Sequence, residues 1–213
     1  LPPGFLARPV AHRALHDRAA GRPENSRAAI AAAIAAGVGI ELDLQLSSDG
    51  VAMVFHDGGL DRLTPETGPL RARSAAELGR IPLRDGAEGI PRFDEILAQV
   101  DGRVPLVVEI KDQTGTLEAS DGALEQAAAD AAAGYDGPLA FMSFSPSAVA
   151  QIAARAPDRP RGRVTCAFDA AHWPGLPAAR RATLAEIADL DALGVAFVSH
   201  QWRDLVSPRI AEL

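Results

Sequence analysis

Charged residues stand inside or at the ends of four runs of apolar, strand-forming sequence, and that placement narrows the folds open to this 213-residue chain. His12-Arg13 closes Pro9-Val10-Ala11. Glu41 and Asp43 alternate through Gly39-Ile40-Glu41-Leu42-Asp43-Leu44. His56-Asp57 closes Val51-Ala52-Met53-Val54-Phe55, and Glu109 and Lys111 alternate through Val107-Val108-Glu109-Ile110-Lys111. Runs so rich in β-branched and aliphatic residues read as buried strands. A charge there is costly unless a partner, a metal or a substrate compensates it. Four strands with the same habit imply one shared polar site, and a fold that brings them together.

Strand-like runs near 8–12, 38–44, 51–56, 104–111, 138–144, 162–168 and 194–199 alternate with helical stretches near 26–36, 74–78, 93–99, 121–133, 146–155, 178–189 and 207–213. Asn25 or Ser26, Asp121, Ser145-Pro146 and Ser207-Pro208 are suitable helix starts, and Gly37 and Gly134 suitable stops. Such alternation specifies a parallel α/β sheet. A (β/α)₈ TIM barrel is the version that gathers polar strand ends into one pocket. Residues 1–213 read as a single domain. Two places break the rhythm. Between Asp43 and His56 there is room only for a turn, Ser48-Asp49-Gly50. Residues 57–101, after the third strand, are expected to be an insertion over the barrel mouth. Seven strands are found where a closed barrel needs eight, so the expectation is a barrel truncated at its C-terminus, with a gap between the seventh strand and the first.

Composition limits the partners. A formal net charge of -7 argues against nonspecific binding to nucleic acid or anionic membranes. No apolar run reaches the ~18–20 residues that span a bilayer, so no stable membrane insertion is expected. The start, Leu1-Pro2-Pro3-Gly4-Phe5-Leu6, lacks the basic and long apolar regions of a signal peptide. One cysteine, Cys166, excludes an internal disulfide and suits a reducing compartment; a cytoplasmic location is expected.

Residues i and i+2 of a strand share a face, so Glu41 and Asp43 project together, as do Glu109 and Lys111. Three carboxylates without a thiolate form a hard oxygen site that suits one divalent cation, Mg²⁺ or Ca²⁺. Arg13 and Lys111 supply positive charge for a phosphoryl group, and His12 and His56 have the range for general acid and base. That is equipment for cleaving a phosphodiester. The remaining aromatic and imidazole groups read differently. His172, Trp173, Trp202 and Tyr135 read as packing, His16 and Asp17 as loop or substrate contacts, and His200 as a strand-end residue that could line the pocket.

Ala11-His12-Arg13-Ala14, Pro23-Glu24-Asn25-Ser26, Glu41-Leu42-Asp43, Ser48-Asp49-Gly50 with Val54-Phe55-His56-Asp57, and Glu109-Ile110-Lys111 together resemble the successive motifs of the glycerophosphodiester phosphodiesterase family, in order and spacing. Met142-Ser143-Phe144-Ser145-Pro146 is a fainter echo in the second half. The resemblance implies a (β/α)₈ barrel with a small insertion after the third strand, and hydrolysis of small glycerophosphodiesters to glycerol 3-phosphate and an alcohol with a divalent cation. It also implies that His12 and His56 are the catalytic pair, that Glu41, Asp43 and Glu109 bind metal, that Arg13 and Lys111 face the phosphate, and that Glu24 borders the metal through water. Ala14 stands where the family has glycine, so the backbone there either differs or takes a negative φ.

Three other readings remain open. One is a lysophospholipase D-like or sphingomyelinase D-like activity on lipids; the insertion offers Leu60, Leu63, Leu70 and Leu78 but no aromatic cluster for it. Another is a barrel that binds phosphate esters without cleaving them. A third is a metal-dependent lyase, which would have no use for His12-Arg13 as a pair.

Overall fold

The computed structural model describes residues 1–2 and 4–213. Its strands are β1 (Val10–Ala11), β2 (Gly39–Leu46), β3 (Ala52–Val54), β4 (Leu106–Ile110), β5 (Leu139–Ser143), β6 (Arg161–Thr165) and β7 (Phe197–His200). All belong to one sheet, in which β1-β2-β4-β5-β6-β7 are successive parallel neighbours. Among the described residues no ladder joins β7 to β1, so the sheet is open.

The third strand departs from the barrel rhythm. β3 lies off the main path and pairs antiparallel with β2, Leu44 opposite Val54 and Leu46 opposite Ala52. The cause is the short connection: Ser47 to Val51 closes a hairpin around Gly50 at φ 78°, whereas a parallel return needs a crossover of a dozen or more residues. The parallel path therefore holds six of the seven strands.

Eight consecutive residues of β2 are buried, as expected of a strand covered on both faces. Outward, Ile40, Leu42 and Leu44 join Leu106, Val108, Ile110 and Phe141 in a core closed by helices α1 (Arg27–Ala36), α3 (Phe93–Val100), α4 (Ala123–Ala132) and α5 (Pro146–Arg155). Ser26 caps α1 by accepting from the Ala29 N–H, and Gly37 ends it in the left-handed region. Ser145 caps α5 in the same way, whereas α4 is preceded by Gly122, with Asp121 accepting from the Ala123 N–H at 3.0 Å.

The 57–101 segment divides in two. Leu60, Leu70, Leu78, Leu83 and Ile90, with helix α2 (Ala75–Leu78), form their own cluster on Met53 and Phe55. Phe93, Ile96, Leu97 and Val100 instead fall on one stripe of α3 and are packed into the main core. Downstream, α6 (Ala178–Ala185) and α7 (Leu190–Leu193) precede β7, and α8 (Pro208–Ala211) follows it. Among the described residues no helix is long and apolar enough to cross a membrane.

Candidate active site

Register builds the centre of the site. Parallel pairing sets Asp43 directly opposite Glu109, and the pleat puts Glu41 on the same inward face two residues earlier. The three buried carboxylates each offer an oxygen within 4.8 Å of the others. Burial, reinforced by the Asp43 charge, pushes the Glu41 carboxyl up to about 8. Burial raises Glu109 as well. For Asp43 burial also opposes ionisation, but Lys111, His56 and the Asn25 amide together outweigh it and hold this carboxyl below its ordinary range. Lys111 Nζ lies 2.8 Å from both Asp43 Oδ1 and Glu109 Oε1. Asn25 donates from Nδ2 to Asp43 Oδ2 at 2.9 Å.

His12 and Arg13 leave the end of β1 in a tight turn. Arg13 and Ala14 take φ of 55° and 64°, so of the two alternatives at Ala14 the negative φ is excluded: alanine holds the left-handed conformation glycine would adopt freely. That conformation costs an L-residue roughly 1–2 kcal/mol. Three backbone donors over-determine it. The Arg13 N–H donates to Glu41 Oε2 at 2.9 Å, the Ala14 N–H to Glu41 O at 3.0 Å, and the Asn25 N–H to Arg13 O at 3.0 Å. The turn leaves the His12 side chain 70% exposed, its Nε2 4.0 Å from Glu41 Oε2. It sends Arg13 Nη1 to Glu24 Oε1 at 2.8 Å, with Nε 3.8 Å from Asp43 Oδ2. Glu24 thus stands behind Arg13, outside the carboxylate cluster.

His56 follows β3. Its Nδ1 lies 2.6 Å from Asp57 Oδ1, and its carbonyl accepts from Gln45 Nε2 at 3.0 Å. Burial lowers both histidines below their ordinary value, aided by Arg13 at His12 and by Lys111 at His56.

Burial works against the Asp57 charge, but hydrogen bonds from Arg62 and His56 prevail and bring its carboxyl down to about 2. A depressed carboxylate stabilises the fold fully above its unfolded value and loses that contribution as pH falls from 3.8 to about 2. Urea midpoints at about pH 5 and about pH 2 should therefore differ more for the wild-type chain than for Asp57→Asn.

His12, Arg13, Glu41, His56, Glu109 and Lys111 line one cavity of about 590 Å³. Part of its wall is apolar, with Val107, Met142, Phe144, Val164 and Phe197. No residue of 57–101 is on that wall. Sequence reasoning did not single out Arg62, Gln45 or the apolar wall, and it assigned Asn25 to helix capping. Nothing in the local pattern marks these side chains, since their partners lie on other elements. His200 does not line the cavity. Its side chain is 5% exposed and lies between Thr165 Oγ1 at 2.7 Å and Asp204 Oδ2 at 3.0 Å. Trp173 packs edge-on to Phe144, and the Tyr135 hydroxyl accepts from the Gly102 N–H. Trp202 was expected to pack but is 73% exposed, with Arg203 over its ring.

The donor set fits a hard divalent cation. Three oxygen ligands crowd together, and their mutual repulsion is what such an ion offsets.

Residues 12–206 match the sequence model of the glycerophosphoryl diester phosphodiesterase family. A Bacillus altitudinis glycerophosphodiester phosphodiesterase is 35% identical over 96 residues, 42% of this chain and 39% of the relative. The chain thus aligns to well under half the length of that relative. Among solved structures, an Oleispira antarctica phosphodiesterase in complex with the product sn-glycerol-3-phosphate aligns with a TM-score of 0.67 at 22% identity, over 96% of each chain. A putative glycerophosphoryl diester phosphodiesterase from Agrobacterium tumefaciens aligns at 0.72 and 21% identity, over 96% of this chain and 79% of the other. The fold is the barrel fold of these proteins.

Proposed function

This chain belongs to the glycerophosphoryl diester phosphodiesterase family, and from that membership and its site we propose that it hydrolyses small glycerophosphodiesters to glycerol 3-phosphate and an alcohol, with one divalent cation. The observation that carries the reading is the convergence of two histidines, two cations and two carboxylates, Glu41 and Glu109, on one cavity at the barrel strands, with Asp43 offering an oxygen within 4.8 Å of both carboxylates. Glu41, Asp43 and Glu109 would hold the cation, Mg²⁺ or Ca²⁺. Bound there, it would act as a Lewis acid on a phosphoryl oxygen and stabilise developing charge. Arg13 and Lys111 hold the other phosphoryl oxygens by charge.

The two histidines divide the proton work. Asp57 beside Nδ1 favours the tautomer that leaves the His56 Nε2 lone pair free, and supports the imidazolium that forms on proton uptake. His56 is the general base. It takes the proton from the glycerol 2-hydroxyl, whose oxygen attacks phosphorus, and the route is short because that hydroxyl is next to the ester. His12, which lines the cavity and is 70% exposed, enters as the imidazolium and gives its proton to the departing alkoxide. Water then opens the cyclic phosphate to glycerol 3-phosphate, giving a proton to His12 while His56 returns its own to the departing 2-oxygen.

A coupled assay for glycerol 3-phosphate on glycerophosphocholine, glycerophosphoethanolamine and glycerophosphoglycerol should give release that EDTA abolishes and Mg²⁺ or Ca²⁺ restores. Absence of release with every substrate and ion would overturn the reading. The Phe144 and Phe197 wall favours a second reading, a lysophospholipase D-like activity on a lipid with one acyl chain; lysophosphatidylcholine in the same panel separates the two. The lone, buried Cys166 supports a cytoplasmic setting.

A further inference from the structure

Arg62 takes no part in the chemistry above, yet its guanidinium holds the carboxylates behind two of the reacting groups. It donates to Asp57 from Nε to Oδ2 at 2.6 Å and from Nη2 to Oδ1 at 2.8 Å. It donates to Glu24 from Nη1 to Oε2 at 3.0 Å and from Nη2 to Oε1 at 2.8 Å. Asp57 in turn meets His56 Nδ1 at 2.6 Å, and Glu24 accepts from Arg13 Nη1 at 2.8 Å. The result is an unbroken relay, His56–Asp57–Arg62–Glu24–Arg13, between elements that are far apart in sequence.

We propose that Arg62 is a positioning residue that sets the His56 imidazole and the Arg13 guanidinium in register with each other across the phosphate site. The inference rests on the function proposed above and deepens it. A planar guanidinium fork fixes two carboxylates at once in a way a single ammonium does not. The turn that presents Arg62 is anchored by buried Leu60 and Thr64, with Thr64 Oγ1 donating to Leu60 O at 3.0 Å and the Arg84 N–H donating to Leu63 O at 2.7 Å. Both carboxylates it grips are better shielded than Arg62 itself, whose side chain is 46% exposed against 14% for Glu24 and 25% for Asp57. Half-exposed ion pairs stabilise a fold only modestly, so loss of Arg62 should register in the site and remove part of the stability that Asp57 carries above about pH 2, with the chain still folded near pH 7.

Arg62→Met and Arg62→Lys, with Asp57→Asn and Glu24→Gln, test the relay on glycerophosphocholine with Mg²⁺. Arg62→Met should lower kcat about 10- to 100-fold, the usual effect of removing an outer-shell partner, with KM changed much less. Arg62→Lys should recover part of the loss. Combined with Asp57→Asn, the two losses should be smaller than multiplicative, as for residues in one network. A kcat within twofold of wild type in Arg62→Met, or fully independent losses, would overturn the proposal. Long-range ¹H–¹⁵N spectra of the imidazoles, with His56 assigned by His56→Gln, give a readout independent of turnover. Wild type should show the Nδ1–H tautomer at His56, and Arg62→Met a mixed one. If the wild-type chain releases no glycerol 3-phosphate, the proposed function fails and the spectra alone decide the relay: an unchanged His56 signal overturns it.

Discussion

Glu41→Gln is expected to abolish glycerophosphodiester hydrolysis while raising the stability of the metal-free protein. The same side chain causes both effects. Glu41 is one of three buried carboxylates within 4.8 Å of each other, and burial, reinforced by the Asp43 charge, drives its carboxyl up to about 8. A raised carboxyl contributes stability that is complete below its unfolded value and is lost as pH rises from 4.5 through about 8. Glutamine has no proton to lose, so in EDTA the urea midpoint of the variant should fall less over that interval than the wild-type midpoint, with Glu109 left as the raised carboxyl. The amide also weakens the divalent site. Lewis-acid stabilisation worth several kcal/mol would then be missing, so turnover should fall by at least ~10³-fold. A variant as active as wild type, or one that falls in stability as steeply with pH, would exclude Glu41 as a metal ligand under electrostatic strain.

His12→Ala and His56→Ala should each lower kcat by at least ~10²-fold, with KM less affected. The two variants should differ with the leaving group. A nitrophenolate departs without a proton, so His12→Ala should recover much of its rate on a glycerophospho-nitrophenyl ester. His56→Ala should remain impaired on both esters, because removal of the nucleophile's proton does not depend on the leaving group. The opposite pattern would exchange the two roles, and near-normal turnover in both variants would exclude the pair. A transient cyclic glycerophosphate seen by ³¹P NMR would select attack by the glycerol hydroxyl over direct attack by water.

The part of the site readable from sequence is the part carried by local pattern. Glu41 with Asp43 and Glu109 with Lys111 show themselves because charge alternates with apolar residues at the period of a strand. His12 and His56 show themselves because they close such runs. What joins them is nonlocal. The opposition of Asp43 and Glu109 follows from the β2–β4 ladder, and it brings together residues more than sixty positions apart. Arg62 lies in a stretch with no regular period, and its importance comes from joining Asp57, five residues before it, to Glu24 on another loop.

The sequence by itself determined the alternation of strands and helices, the inward set of charges and the hairpin turn after β2, because each depends on side-chain period or on the length of a connection. Tertiary structure alone decided that the helix closing 57–101 packs into the main core. It also decided that Ala14 keeps a left-handed backbone, that Trp202 is left in solvent and that His200 turns away from the cavity. Each of these depends on which element comes to lie beside another. That choice is made by competition for buried area and hydrogen-bond partners over the whole sheet, and no window of sequence contains it.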